Sequence, residues 1–169
     1  MCIRDSTGIA NPPPGSNQPA VFNEFIFGLL DSGELLLDDI SVIQDPNGAA
    51  IQLIQNGGFE SDAVGGDADK WRILGNHGGH GLSSIVVDPD DANNNALHIV
   101  ATGGTDSLSN HAETTLKEGD TFVAIQNGET YEISYRAKWI SGSPQLNTRL
   151  YFDRVARTTI IEQHADQVS

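Results

Sequence analysis

The chain has 169 residues, of which 23 are acidic and 9 are lysine or arginine, giving a formal charge of −14. A field of that sign repels phosphate backbones and anionic membrane surfaces, which argues against nucleic acid and lipid head groups as partners and favours neutral ligands or divalent cations. No apolar stretch approaches the ~20 residues that cross a bilayer, so no membrane insertion is expected.

Residues 1–6, MCIRDS, resemble the translation of a library-preparation adapter and are excluded from fold reasoning. That exclusion removes the only cysteine, Cys2, and with it any thiol chemistry. From Thr7 to Ala20, three consecutive prolines among Gly, Ser, Asn and Gln predict a disordered linker. Two apolar runs follow, Val21–Leu30 and Glu34–Ile43, joined by the turn Asp31-Ser32-Gly33. Leu35, Leu37 and Ile40 cannot share one face in strict alternation, so a bulge is expected near Asp38-Asp39. Asp45-Pro46-Asn47-Gly48 is a strong turn signal, and residues 46–49 are read as a linker turn.

Ala49–Ile54 is predicted as a short strand, and Ser61–Asp69 as an acidic loop. Further strands are expected at Trp71–Leu74, Ser84–Val87, Ala96–Ala101, Ala112–Leu116 and Phe122–Ile125, with Asp88–Asn95 as a polar loop. The clearest pattern lies at Thr130–Ile140. Tyr131, Ile133, Tyr135, Ala137 and Trp139 alternate with Glu132, Ser134, Arg136 and Lys138, giving one apolar and one polar face. Thr148–Val155 completes the series. Short strands with frequent turn signals and no helical period predict an all-β sandwich.

The phrase Gln55-Asn56-Gly57-Gly58-Phe59-Glu60, followed by Trp71, resembles the opening strand of jelly-roll carbohydrate-binding modules of the family 4 and 9 type, which are galactose-binding-domain-like. Gly128, Tyr131, Ser134, Ala137 and Lys138 match the middle phrase of such modules. Leu35-Leu36-Leu37-Asp38-Asp39-Ile40-Ser41-Val42 resembles their closing strand, yet it precedes the opening phrase. The resemblance therefore implies two modules in tandem. Residues 21–45 would be the closing hairpin of one module, and residues 50–169 a second that is C-terminally incomplete. The stretches at residues 75–79, 109–116 and 136–152 also resemble segments of large bacterial surface proteins, where such modules neighbour lamin-tail-like domains.

Modules of this type often hold a structural Ca²⁺, and hard cations take carboxylate and carbonyl oxygens. The resemblance implies Glu60, Asp38 and Asp39 as ligands, against the plainer reading of solvated strand-end carboxylates. Asp88, Asp90, Asp91 and Asn93 are spaced like the start of an EF-hand loop, but Ile99 stands where the closing glutamate belongs, so a solvated turn is the better reading. His77 and His80, with His111 later, lack the partners of a zinc motif.

Asn76-His77 and Asn110-His111 repeat one dipeptide in two expected loops, and amide and imidazole groups can orient a hydroxyl-rich ligand. Asn76, His77, His80, Asn110, His111, Arg149 and Tyr151 are accordingly the candidate ligand-binding residues. Trp71, Trp139, Tyr135 and Tyr151 are candidate stacking platforms, although Tyr135 and Trp139 share the apolar face of their strand and suit a core. No nucleophile phrase, phosphate-cradling loop or complete metal motif points to catalysis. The expected function is a non-catalytic, polysaccharide-binding module beside other domains of a secreted or cell-surface bacterial protein. The alternatives are a ligand-free structural spacer or the accessory module of a glycoside hydrolase.

Overall fold

The computed structural model describes residues 2–9, 23–75, 81–104, 110–126, 128–150 and 156–162, with backbone alone at 2–9, 110 and 156–162. In chain order the strands are β1 (Cys2–Ile9), β2 (Glu24–Leu29), β3 (Gly33–Gln44), β4 (Ile51–Gln52), β5 (Trp71–Gly75), β6 (Ser84–Asp88) and β7 (Asp91–Ala101). They continue with β8 (Asn110–Thr115), β9 (Lys117–Glu118), β10 (Thr121–Phe122), β11 (Thr130–Gly142), β12 (Gln145–Leu150) and β13 (Ala156–Glu162). No helix occurs among the described residues.

Two antiparallel sheets hold nearly all of these strands. The first runs β1-β11-β3-β7-β6, with β4 also on β3, and the second runs β13-β12-β2-β8-β5. Their inner faces meet in one apolar cluster. Tyr131, Ile133, Tyr135 and Ala137 enter it from β11, and Phe25, Phe27 and Leu29 from β2. The Tyr135 and Phe27 rings meet edge to face across the two sheets, 5.1 Å between centroids. The period-2 pattern of Thr130–Ile140 thus becomes one buried face, with Trp139 packed at its margin. The fold is an all-β sandwich.

The β2–β3 hairpin is central to it. β2 is hydrogen-bonded between β12 and β8, and β3 between β11 and β7, so the hairpin runs through the middle of both sheets. Residues 21–45 were expected to close a preceding module, but their described part pairs with strands of the following segment. The closing phrase has the strand pattern this gap requires, and antiparallel pairing is indifferent to which strand comes first in the chain. The turn after it takes the expected form. Asp45 O accepts from Gly48 N at 3.0 Å, and Asp45 Oδ2 accepts from Ala49 N at 2.8 Å.

The expected bulge is present. Ser41 pairs with Ser134 and Asp38 with Arg136, leaving Asp39 and Ile40 opposite Tyr135 alone. Asp39 absorbs the extra residue at φ +49°. The shift turns Ile40 inward, so Leu35, Leu37 and Ile40 all reach the core. The opening phrase docks at this bulge, where Ile40 N donates to Gly57 O at 2.9 Å. A Cβ at residue 57 would overlap the Ile40 carbonyl, so glycine is required there. The Trp71 indole N–H donates to Asn56 O at 3.0 Å, and the Trp71 ring lies 5.9 Å from that of Phe59. These contacts give the phrase and its tryptophan a structural reason to occur together.

Three expectations differ in detail. Asp88–Asn95 is mostly strand: β6 and β7 form a tight hairpin with Asp88 opposite Asp91, and its polar residues are used in side-chain bonds described below. Thr7–Ile9 continue β1 along β11 instead of starting a linker, while the rest of the expected linker, residues 10–20, lies outside the described residues. Strand pairing of the Phe122–Ile125 segment is confined to Phe122.

Candidate functional site

On β8, Ala112 and Thr114 are on the core side, which places His111, Glu113 and Thr115 on the outer face of the second sheet. On β2 the inward positions are Phe25, Phe27 and Leu29, leaving Glu24 and Ile26 outward. Strand register then aligns Arg72 of β5, Glu113 of β8, Ile26 of β2 and Arg149 of β12 in one row across four strands. Glu113 and Arg149 are only 7% and 5% exposed, so this outer face holds charge in a largely desolvated setting.

Arg72 is the hub of the row. Its Nε donates to Glu113 Oε1 at 2.6 Å, one terminal nitrogen to Glu24 Oε1 at 2.9 Å, and the other to Thr115 Oγ1 at 3.1 Å. Glu113 Oε2 lies 2.9 Å from His111 Nε2. Burial works to raise the Glu113 carboxyl, but hydrogen bonds from His111 and Arg72 outweigh it and hold Glu113 below the usual carboxylate range. Glu24 moves the other way, pushed up by burial and then by the charge of Glu113 despite Arg72. Because an ionised Glu113 only accepts, His111 Nε2 carries the proton toward it. The other ring nitrogen, Nδ1, is buried and has no hydrogen-bond partner among the described residues.

Of the residues expected to bind ligand, His111 and Arg149 share this face. Asn110 is the backbone partner of Gly75. Asn76, His77, His80 and Tyr151, and the Asn110 side chain, lie outside the described residues. Arg72, Glu24 and Glu113 were not anticipated. The spacing of Glu113, two residues after His111 on a strand, was the available signal, since positions i and i+2 share a face.

The candidate platforms Trp71 and Tyr135 are core residues, 7% and 2% exposed. Trp139 packs against the core, its indole N–H donating to Ser143 O at 3.1 Å.

The expected calcium ligands are differently engaged. Asp38 is fully buried. Its Oδ1 accepts from Asp39 N at 2.7 Å, and its Oδ2 from Asn94 Nδ2 at 2.9 Å and Arg136 Nη1 at 3.2 Å. Both oxygens are thus committed to donors, and a guanidinium supplies the positive charge, so Asp38 does not fit a calcium ligand. Burial nevertheless pushes its carboxyl up, against Asn94, the Asp39 N–H and Arg136. Asp39 is exposed and lies 3.3 Å from Arg136, while Glu60 accepts from Asn95 N at 3.1 Å. Among the described residues no group of three or more His, Cys, Asp or Glu is placed to hold a metal ion. The second acidic cluster is a hydrogen-bonded turn: Asp88 accepts from Asp90 N at 2.9 Å, and Asp90 pairs with Lys138 at 2.7 Å. Asp88 itself is 1% exposed and so is not solvated, because it faces Asn94 and Arg136.

Residues 52–161 match the family model described as Carbohydrate binding domain. The chain belongs to the carbohydrate binding domain family. The match covers more than half of the chain and starts after the β2–β3 hairpin, although that hairpin occupies the centre of both sheets. No curated protein and no solved structure matches the chain.

Proposed function

We propose that the chain is a non-catalytic module that binds a saccharide on the outer face of its second sheet, as part of an extracellular or cell-surface protein. The observation that carries this reading is the row Arg72–Glu113–Ile26–Arg149 with His111 beside it. Hydroxyl-rich ligands need donors and acceptors fixed in place, and here they stand on strands and hold one another. Family membership supports the ligand class. The acidic surface is compatible with neutral polysaccharides.

The test is affinity electrophoresis of the chain in gels carrying soluble polysaccharides, with circular dichroism to verify folding. The expected result is retardation by at least one polysaccharide. Glu113→Gln keeps the shape but releases Arg72 and His111. Losing a charged hydrogen bond costs about 1.5–3 kcal/mol, so the retained polysaccharide should bind roughly 10- to 100-fold more weakly. A folded chain that no polysaccharide retards overturns the proposal.

A further inference from the structure

At one end of the same outer face, beyond Thr115, the chain turns into the β9–β10 hairpin. Lys117 pairs with Phe122 and Glu118 with Thr121, and Gly119 makes the reversal at φ +57°. The hairpin is tied down at both ends, with Lys117 N donating to Leu53 O at 2.9 Å and Val123 N to Leu116 O at 3.1 Å. Phe122 is 64% exposed, whereas the other aromatic side chains whose burial is described are buried or half-buried. Single exposed apolar side chains are ordinary, and Leu82 is 70% exposed; what sets Phe122 apart is the groove its ring borders.

The ring borders a groove of about 190 Å³ lined by Gln55, Lys70, Arg72, Thr115, Lys117 and Phe122. That volume is below the range of drug-sized pockets and suits a small ring. Lys117 Nζ lies 4.7 Å from the Phe122 ring centre. Two of the three cations are already balanced, Lys70 by Asp69 at 2.9 Å and Arg72 by Glu113 and Glu24. The groove therefore offers an apolar ring and hydrogen-bonding groups with little unbalanced positive charge. Those are the needs of a neutral sugar ring, whose C–H face packs on an aromatic while its hydroxyls exchange hydrogen bonds. They are not the needs of a free anion.

We infer that Phe122 is the stacking platform of a saccharide subsite, and that this groove takes an uncharged pyranose unit of the polysaccharide. The inference rests on the proposed saccharide-binding function and adds to it the platform and the ligand charge. It also accounts for the platform that Trp71 and Tyr135 cannot supply from the core.

The experiment is isothermal titration of the full chain and its Phe122→Ala, Phe122→Tyr and Glu113→Gln variants. The probes are xyloglucan, xylan and galactomannan, with polygalacturonate as the charged arm. The expected result is binding to a neutral polysaccharide that Phe122→Ala weakens at least tenfold and Phe122→Tyr preserves, with melting temperatures unchanged because the ring is exposed. Neutral binding that Glu113→Gln weakens and Phe122→Ala leaves intact overturns the inference while the proposed function stands. Tighter binding of polygalacturonate than of every neutral probe overturns the assignment of an uncharged unit. Absence of binding to all four overturns the function and the subsite together.

Discussion

A chain that begins at Asp45, and so lacks β1 to β3, should show no cooperative thermal transition. The loss is not that of a peripheral arm. β2 is the link between β12 and β8, and β3 the link between β11 and β7, so both sheets fall into separate halves with open edges. Phe25, Phe27, Leu29, Leu35, Leu37, Ile40 and Val42 leave the core together. Burial of each such side chain is worth about 1.5–3 kcal/mol, against a total stability of about 5–15 kcal/mol for a typical domain. A single-site counterpart in the whole chain is Phe27→Ala, which removes a ring in contact with Phe25, Trp71 and Tyr135. It should cost about 3–5 kcal/mol, or about 6–20 °C of melting temperature in a domain of this size. Calorimetry measures both. A shortened chain that melts as the full one does would mean that the hairpin is an appendage.

The second large effect is expected from Arg136→Met. Arg136 reaches Asp38 at 3.2 Å and Asp88 at 4.0 Å, two carboxylates that are 0% and 1% exposed. Methionine fills much of the volume but leaves both acids in the sheet with Asn94 as their shared donor. Breaking a buried ion pair from one side costs about 3–5 kcal/mol, because the abandoned charge stays desolvated. The pH dependence has a definite sign. The folded-state carboxyl of Asp38 is already raised by burial, so the native form takes up a proton before the unfolded chain does. Where the folded pKa of an acid exceeds the unfolded one, stability falls as pH rises between them and is recovered as pH falls. Removing Arg136 pushes Asp38 further up. The deficit of the variant in urea unfolding should thus be greatest at neutral pH and shrink as pH is lowered through the Asp38 titration. A deficit independent of pH would show that Arg136 acts by packing alone.

Much of the fold was legible because its signals are local. The alternation from Tyr131 to Trp139 marks a core strand without any knowledge of its neighbours. The misfit of Ile40 with Leu35 and Leu37 marks a bulge, since three inward residues at uneven spacing need an extra residue somewhere. Where β3 belongs was not local information. Its closing phrase comes before the opening phrase, and chain order alone suggested a separate module. Register and core volume decide pairing, and they admit the hairpin from the N-terminal side.

The site was legible only in part for the same reason. His111 and Arg149 drew attention as single residues of suitable chemistry. Arg72 meets Glu113 and Glu24 across 41 and 48 positions of sequence, so no spacing rule joins them. Asp38 read as a metal ligand because its phrase resembles one that holds calcium. What changes its role is an arginine 98 positions away. Phe122, beside a short polar turn, carried no periodic signal at all. Its exposure is a property of the folded hairpin.

The most direct test of the central claim is amide NMR of the full chain titrated with oligosaccharides of whichever polysaccharide it retains. Backbone signals of His111, Glu113, Arg149 and Arg72 should shift together and saturate at one affinity, while those of Asp38, Arg136 and Lys138 on the outer face of the first sheet stay in place. Shifts gathered on the first sheet, with the second undisturbed at saturation, would contradict the account.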